Sequence, residues 1–221
     1  MNRSARILYD HPLSGNCHKV RLLLSMLALD YRSELVDVPN GAHHAPWFGH
    51  LNAARQIPVF DDAGHVVCDS QAILTYLAHR YGSQWLGADP FEAGEVARWL
   101  SFAANEIGNS LQPARVHYLL GEAVDIGAAQ AKGLRALQVL DGALAGRSWL
   151  AAARPTIADL ACFPYVGLAR EGRVPLDDFG NVLHWIARVA ALDGYVSMPG
   201  LPPATGRAAG DTINAMERDD A

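Results

Sequence analysis

The sequence predicts an α/β domain followed by an all-α helical domain, because the hydrophobic pattern changes near residue 82. Up to that point, short strand-like runs alternate with helical periodicities. Beyond it, long helical periodicities dominate and strand candidates are almost absent. The predicted divisions are 1–82 for the α/β domain, 83–91 for a linker, 92–203 for the helical domain and 204–221 for a disordered tail.

The first eighty residues predict a strand, a helix and a strand, then a polar connection, a hairpin and a second helix. In chain order these elements are strand 6–9, helix 19–29, strand 31–38, connection 39–50, strands 56–60 and 65–68 around a turn at 61–64, and helix 70–81, which Gly82 ends. A βαβ unit that leads into an antiparallel hairpin, with the last helix covering the sheet, is the thioredoxin arrangement. The α/β domain is therefore predicted to be thioredoxin-like.

Four helices are predicted in the second half, at 92–111, 126–144, 156–169 and 178–192. Pro113 is expected to kink or end the first of them. Thr156 stands before an apolar run with Asp159 three residues later, which is the pattern of a capping box with Asp in the usual place of Glu. We therefore assign Asp159 a structural role and not a catalytic one.

The composition excludes several classes of function. A net charge of −5 without a long basic run argues against nucleic acid or an anionic membrane as a partner. Three widely spaced cysteines favour a reducing compartment. The N-terminus lacks the apolar core of a signal peptide, and no apolar run reaches membrane-spanning length. We expect a soluble, cytoplasmic protein.

The stretch from Gln56 to Ser70 offers backbone and side-chain groups that can bind an extended peptide carrying a carboxylate. If the bond between Ile57 and Pro58 is cis, the chain bends there and leaves the backbone of Ile57 free to pair with a ligand. Ser70 is predicted to cap the following helix, whose N-terminus attracts carboxylates. The alternative is an ordinary hairpin with a trans-proline at its edge and an ordinary cap.

The turn between the first strand and the first helix is where thioredoxin-like redox enzymes place Cys-x-x-Cys. Here Ser14 occupies the first cysteine position and Cys17 the second, so a dithiol cycle is not expected. The hydroxyl of Ser14 can donate a hydrogen bond to the thiolate of another molecule, or it can simply cap the helix. Cys17 is the lesser candidate for the reactive group, and Tyr9 is expected in the core or sheet.

No metal site is predicted, because His43 and His44 are adjacent and their side chains do not converge as spaced ligands would. Either imidazole can still bind a carboxylate. Cys68 and Cys162 lie in apolar runs and are expected in the core.

Together these motifs resemble the cytosolic glutathione S-transferase family, in particular its bacterial serine-type members, over residues 5 to 200. The resemblance is carried by Ser14-Gly-Asn-Cys17-His-Lys-Val-Arg21, Gln56-Ile-Pro-Val59, Asp69-Ser-Gln-Ala-Ile-Leu74 and the capping box at Thr156. It implies a thioredoxin-like domain followed by a helical one, a homodimer, and conjugation of the co-substrate glutathione to a small hydrophobic electrophile.

The resemblance also implies roles for individual residues. Ser14 would activate the glutathione thiol, and the backbone of Ile57, before the cis-proline Pro58, would pair with the cysteinyl part. Asp69 and Ser70, assisted by Gln56, would hold the γ-glutamyl end. His44 or Arg55 would reach the glycine carboxylate. The electrophile pocket would lie near Leu13, Arg115 and Tyr118.

Two departures from the family pattern stand at the binding site. Asp69 replaces the Glu of many members and has a shorter reach to the ammonium, and Asn52-Ala-Ala-Arg55 replaces the usual Asn-Pro-x-Gly. Two other functions stay open: a glutathione-dependent thiol reductase, peroxidase or isomerase, and a non-catalytic interaction protein with the same fold.

Overall fold

The computed structural model describes residues 6–204; the predicted disordered tail lies outside them apart from Ala204. Four strands form one mixed sheet in the order β2-β1-β3-β4. Their bounds are β1 Arg6–Asp10, β2 Arg32–Leu35, β3 Val59–Asp62 and β4 His65–Cys68. Strand β1 pairs parallel with β2 and antiparallel with β3, and β3 pairs antiparallel with β4. This is the predicted thioredoxin-like arrangement.

Eight α-helices complete the part of the chain that the structure describes. They are α1 Gly15–Met26, α2 Pro46–Leu51, α3 Ser70–Tyr81, α4 Pro90–Phe102, α5 Leu111–Leu120, α6 Ile126–Ala143, α7 Ile157–Gly167 and α8 Gly180–Ala190. The order of strands and helices agrees with the predicted fold class. The stretch between Gly82, which ends α3, and Pro90 holds only one short 3-10 turn at Ser83–Trp85.

The sequence prediction of a single helix over 92–111 is wrong. Helix α4 ends at Phe102 and passes into a wide π turn, Ala103–Ile107, after which α5 begins at Leu111. Pro113 lies in the first turn of α5, where the amides have no intrahelical acceptor, so its missing N–H breaks no helical bond. The break matters because the turn between the two helices faces the cleft described below.

Helix α2 lies within the segment that the sequence predicted to be a polar connection. It is only six residues long, with Pro46 at its start and Phe48 as its one buried residue. Phe48 packs with Val36 and Val59 in a small cluster on one face of the sheet. So short a helix shows less than two turns of periodicity, which explains why the sequence pattern did not indicate it.

The main hydrophobic core joins the two halves of the chain. Leu8 and Phe60, paired across β1 and β3, point into it together with residues of α1 and α3. Helix α7 packs against α1, α3 and α4, and its residues from Ile157 to Val166 are all buried. The position of α1, which Ser14 caps, is therefore set by both halves.

The predicted capping box at the start of α7 is present. The Asp159 carboxylate accepts hydrogen bonds from the amides of Thr156 and Leu150 and from the indole N–H of Trp185, at 2.9–3.0 Å. Burial raises the pKa of Asp159, and these bonds oppose that shift. Asp159 thus holds three segments together inside the core, as its structural assignment predicts.

Candidate functional site

One cleft of about 550 Å³ opens between the α/β half and the helices α4 and α5. Its α/β side consists of the loop before α1, the segment after β2, the loop before β3 and the N-terminus of α3. Its helical side consists of the turn after α4, helix α5 and one side chain of α7. A smaller pocket of about 190 Å³ adjoins it, and the two share Asn16, Gln56, Ile57 and Asp69.

Ser14 lines the cleft and is the N-cap of α1. Its hydroxyl oxygen accepts a hydrogen bond from the amide of Cys17 at 3.2 Å, and its own amide donates to the carbonyl of His11 at 2.9 Å. A hydroxyl has two lone pairs and one hydrogen, and the cap bond uses only a lone pair. Capping the helix and donating to a bound thiolate are therefore compatible roles for Ser14.

The three cysteines are poor candidates for a reactive thiolate. Burial, with the charge of Asp10, raises the pKa of the fully buried Cys17 thiol, and the nearby Ser14 hydroxyl only partly opposes this shift. Burial also raises the pKa of the buried Cys162 and the half-buried Cys68. At neutral pH these groups are thiols, and the thiol form is a weak nucleophile.

Two tyrosines lie near the start of α1, and only one of them lines the cleft. Tyr9 packs against Trp47 and Phe48 on the α2 side of the sheet. Tyr165 of α7 lies against Gly15, where an added Cβ would come within 2.8 Å of the ring. Burial raises the pKa of Tyr165, so its hydroxyl is protonated. The sequence analysis missed Tyr165 because only tertiary packing brings α7 to this loop.

The peptide bond between Ile57 and Pro58 is cis, as the sequence analysis considered. Pairing in strand β3 begins only at Val59, so Ile57 stands outside the ladder, and it lines both the cleft and the smaller pocket. The side chain of Asn52 holds this loop, because its amide nitrogen donates to the carbonyl of Gln56 at 2.7 Å and its oxygen accepts from the amide of Ala54 at 3.0 Å.

The prediction that Ser70 caps α3 is wrong by one residue. Asp69 is the N-cap, and its Oδ1 accepts from the amides of Gln71 and Ala72 at 2.9 and 3.0 Å. Its φ of 76° with a ψ of 132° lies outside the left-handed helical region, so the backbone of Asp69 is strained. Ser70 is the first helical residue, is buried, and donates its hydroxyl hydrogen to the Gln71 side chain at 2.7 Å. Asp69 is the cap because its carboxylate accepts from the amides of both Gln71 and Ala72.

Two residues of α1 that the sequence analysis did not single out stand beside these handles. Asn16 lines both the cleft and the smaller pocket. Lys19 is 1% exposed, and its ammonium donates to Asn16 Oδ1 at 2.8 Å and to Ser70 Oγ at 3.5 Å. A buried lysine is rare enough to signal a special role. Its spacing gave no sign of burial, because Lys is expected on the exposed face of a helix.

Two family models match the chain: the glutathione S-transferase N-terminal domain over residues 8–85 and the C-terminal domain over residues 111–193. The chain belongs to the glutathione S-transferase family. The resemblance inferred from the sequence motifs is confirmed, and so is the fold class.

The names of related proteins refer to different activities. Disulfide-bond oxidoreductase YfcG of Escherichia coli is 28% identical over 217 residues, which are 91% of this chain and 93% of the relative. Glutathione S-transferase 3 of Zea mays is 32% identical over 177 residues, which are 75% of this chain and 80% of the relative. A glutathione transferase crystal structure from Pseudomonas putida, with one glutathione disulfide bound per subunit, is 30% identical with a TM-score of 0.75, covering 84% of this chain and 86% of that one.

The transferase electrophile pocket was predicted near Leu13, Arg115 and Tyr118, and the structure places only the first two on the cleft. Arg115 is 3% exposed and donates to the Leu13 carbonyl at 2.7 Å and to the Glu171 carboxylate at 2.5 Å. Its guanidinium therefore ties the loop before Ser14 to the helical half. Tyr118 lies elsewhere, with the guanidinium of Arg173 4.1 Å from its ring centre.

The helical wall of the cleft is largely apolar, which the sequence did not predict residue by residue. Its apolar members are Ala103, Ala104, Pro113, Val116, Leu119 and Leu120. Leu119 and Leu120 are 41% and 46% exposed. A partly open apolar wall opposite Ser14 suits a hydrophobic second substrate.

At the other end of the cleft, the two adjacent histidines are placed differently. His43 lines the cleft and His44 does not, although their rings lie 3.9 Å apart. Burial, together with the neighbouring His44 and Arg55, lowers the pKa of His43. Arg55 also lines the cleft, and its guanidinium donates to the His44 carbonyl. Its φ of 54° explains why the family pattern has Gly at this position.

Within residues 6–204, no group of three or more His, Cys, Asp or Glu side chains is arranged to hold a metal ion. None of the helices described in this family member is both long and apolar enough to cross a membrane.

Proposed function

We propose that this protein conjugates the thiolate of glutathione to small hydrophobic electrophiles, with the Ser14 hydroxyl as the hydrogen-bond donor to the sulfur. The observation that carries the proposal is that Ser14, Ile57 and Asp69 line one cleft whose opposite wall is largely apolar. Family membership supports a glutathione-related enzyme, and the related Pseudomonas putida structure is described with glutathione disulfide bound.

In this proposal glutathione lies across the cleft and the adjoining pocket as an extended strand. The free backbone of Ile57, before Pro58, pairs with the cysteinyl residue. The γ-glutamyl carboxylate binds at the N-terminus of α3 near Ser70, assisted by Gln56, because the positive end of a helix dipole attracts anions. Asp69 faces the γ-glutamyl ammonium.

The glycine carboxylate is assigned to the end of the cleft where His43 and Arg55 lie, next to the predicted His44. Arg55 is the better partner of the two lining residues, because a guanidinium stays charged whereas the pKa of His43 is lowered. The electrophile then occupies the space between Leu13 and the apolar face of α5.

The test of the catalytic assignment is Ser14→Ala. We expect kcat/KM for glutathione and an aryl halide to fall about ten- to hundredfold, because one hydrogen bond to a charged group contributes about 1.5–3 kcal/mol. The affinity for glutathione should change little, because Ile57 and the α3 N-terminus are untouched. Ser14→Thr, which keeps both the hydroxyl and the cap, is the matched control. Unchanged turnover in Ser14→Ala would sink the Ser14 assignment.

A second candidate function is glutathione-dependent disulfide reduction, which the name of the Escherichia coli relative favours. One glutathione thiolate attacks a disulfide and releases a substrate thiol; a second glutathione then displaces the other half, giving glutathione disulfide and two substrate thiols. Because Cys17 is a buried thiol, both steps would use glutathione sulfurs alone. Activity on a mixed disulfide that survives Cys17→Ser and exceeds the aryl-halide activity would favour this function.

A non-catalytic interaction protein is the remaining alternative. Isothermal titration with millimolar glutathione tests this alternative. If no binding is detected, a non-catalytic interaction protein becomes the leading hypothesis. We also expect a homodimer and a cytoplasmic location, as family members with these two domains imply.

A further inference from the structure

The ammonium of Lys19 lies beneath the junction of two helix N-termini. It donates to Asn16 Oδ1 in the first turn of α1 and to Ser70 Oγ in the first turn of α3. It also lies 5.7 Å from the centre of the Tyr165 ring. Lys19 is therefore the one side chain seen to hydrogen-bond to both the α1 and the α3 end of the site within residues 6–204.

We propose that Lys19 is a positioning residue for glutathione: its buried ammonium fixes Asn16 and Ser70 and supplies positive charge beneath the α3 N-terminus. This inference rests on the proposed function, because it assigns the γ-glutamyl carboxylate to that N-terminus. Lys19 lines neither the cleft nor the pocket and so does not touch the ligand itself.

The hydrogen bonds have a defined direction. An ammonium has donors only, so the oxygen of the Asn16 amide faces Lys19 and its NH₂ group faces away. Ser70 accepts from Lys19 and donates to Gln71, so its hydroxyl hydrogen also has one fixed position. One cation thus sets the orientation of two polar groups that border the ligand pocket.

The Lys19 ammonium acts in a buried, low-dielectric place with few charged neighbours. The titratable groups that act on it are Cys17 of its own helix, Cys162 and Tyr165 of α7, and Asp69 at the start of α3. The thiols and the phenol have raised pKa values and are neutral, so the side chain of Asp69 is the acidic neighbour that acts most directly on the Lys19 charge. Lys19 would therefore offset the repulsion between Asp69 and a ligand carboxylate bound at the α3 N-terminus.

Burial lowers the pKa of Lys19 to about 8. The positive charge is then lost within the pH range in which the enzyme can be assayed. If the charged form favours ligand binding about tenfold, the bound ligand must by reciprocity raise the pKa of Lys19 by about one pH unit. A residue that only fills space in the core would show no such coupling.

The chain suits a direct measurement because it contains only two lysines, Lys19 and Lys132. The protein with isotope-labelled lysine is titrated by NMR, with and without saturating S-methylglutathione, a probe that has no thiol to titrate. We expect the Lys19 transition to move up by about one pH unit on binding. The exposed Lys132 of α6 reports unspecific effects in the same sample.

Three variants provide a second, independent test. Lys19→Met should raise the Kd of S-methylglutathione about tenfold at pH 7, whereas Lys132→Met should leave it unchanged. Lys19→Arg keeps the charge, so it should restore the affinity and remove the loss of affinity that begins near pH 8 in the wild type.

The two proposals fail separately. Wild-type protein that does not bind the probe contradicts the proposed function. Wild-type protein that binds it with no change in the Lys19 pKa, or a Lys19→Met variant with wild-type affinity, overturns the role of Lys19 alone. The NMR experiment does not depend on whether any variant folds.

Discussion

The charge of Lys19 destabilises the folded protein, because the ammonium is buried. Its pKa falls from 10.5 to about 8, so between those values the folded protein binds fewer protons than the unfolded chain. Stability then rises with pH across this window. The cost of the buried ammonium is fully present below about pH 8 and is gone above the unfolded value. By contrast, a group that served stability alone would not be expected to oppose folding at neutral pH.

We therefore predict that Lys19→Met stabilises the protein at pH 7, by up to about 3 kcal/mol in the free energy of unfolding. The difference in unfolding free energy between Lys19→Met and the wild type should shrink as the pH rises from 8 to 10.5. Over this range Lys19 of the wild type loses its proton, and with it the cost of burying the charge. Urea unfolding at pH 7 and pH 10 measures this, with Lys132→Met as the control. A difference between Lys19→Met and wild type that does not vary with pH would contradict the prediction.

At the scale of single elements, Asp69 at the N-terminus of α3 is both the helix cap and part of the candidate site. The Asp69 carboxylate closes the first turn by accepting from Gln71 and Ala72, and it also lines the cleft. Ser70 accepts no helical amide and is held from below by Lys19. In the proposed function, stability and ligand binding therefore depend on Asp69 in two different ways.

This division predicts different outcomes for two substitutions of Asp69. Asp69→Asn keeps the acceptor and the shape of the side chain, so it meets the same backbone strain as Asp and its unfolding free energy should stay within about 0.5 kcal/mol of the wild type. Its affinity for glutathione should fall, because the charge that faces the ammonium is gone. Asp69→Ala should cost about 1–2 kcal/mol of stability through the lost cap.

Urea unfolding measures the stability of the wild type, Asp69→Asn and Asp69→Ala, and calorimetric titration measures their affinity for glutathione. Ser70→Ala is the control for the cap, because Ser70 closes no helical amide. A larger loss of stability in Ser70→Ala than in Asp69→Ala would show that the cap is misassigned.

Elements with long, regular periodicity were predictable from the sequence, and those that packing determines were not. Helix α3 with its end at Gly82 and the capping box of α7 follow from local signals. The break after Phe102 carried no such signal, because the apolar positions continue in register through it to Leu111. The Ser70 cap failed because two neighbouring residues are both good caps and only geometry separates them.

At the scale of the whole molecule, the site is assembled from residues that are far apart in sequence. The handles near Ile57 and Asp69 were predictable because each is a local motif of turn and helix start. Tyr165 and the apolar face of α5 were not, because their position depends on how α7 and α5 pack against α1. The second wall of the cleft therefore follows from the packing of the helical half.

Arg115 is the most direct link between these two walls. It reaches from α5 to the carbonyl of Leu13, the residue before Ser14, and is held in turn by Glu171. This clamp, formed by Arg115, Leu13 and Glu171, holds the backbone of Leu13 and not that of Ile57 or Asp69. We therefore expect it to control the position of the Ser14 hydroxyl more than it controls glutathione binding.

We predict that Arg115→Met lowers kcat for conjugation about tenfold or more, while the KM for glutathione changes less than threefold. Methionine keeps the apolar stem but leaves the Leu13 carbonyl without its donor. Arg154→Met is the matched control, because Arg154 makes the same kind of clamp, to the Glu92 carboxylate and the Leu86 carbonyl, away from the cleft. Arg115 is 3% exposed, so Arg115→Met should lose about 1–3 kcal/mol of stability. Arg154 is 35% exposed, so Arg154→Met should lose less, and the unfolding free energy of both variants is measured beside kcat. Equal kcat values in the two variants would show that Arg115 acts only as an internal brace and does not position Ser14.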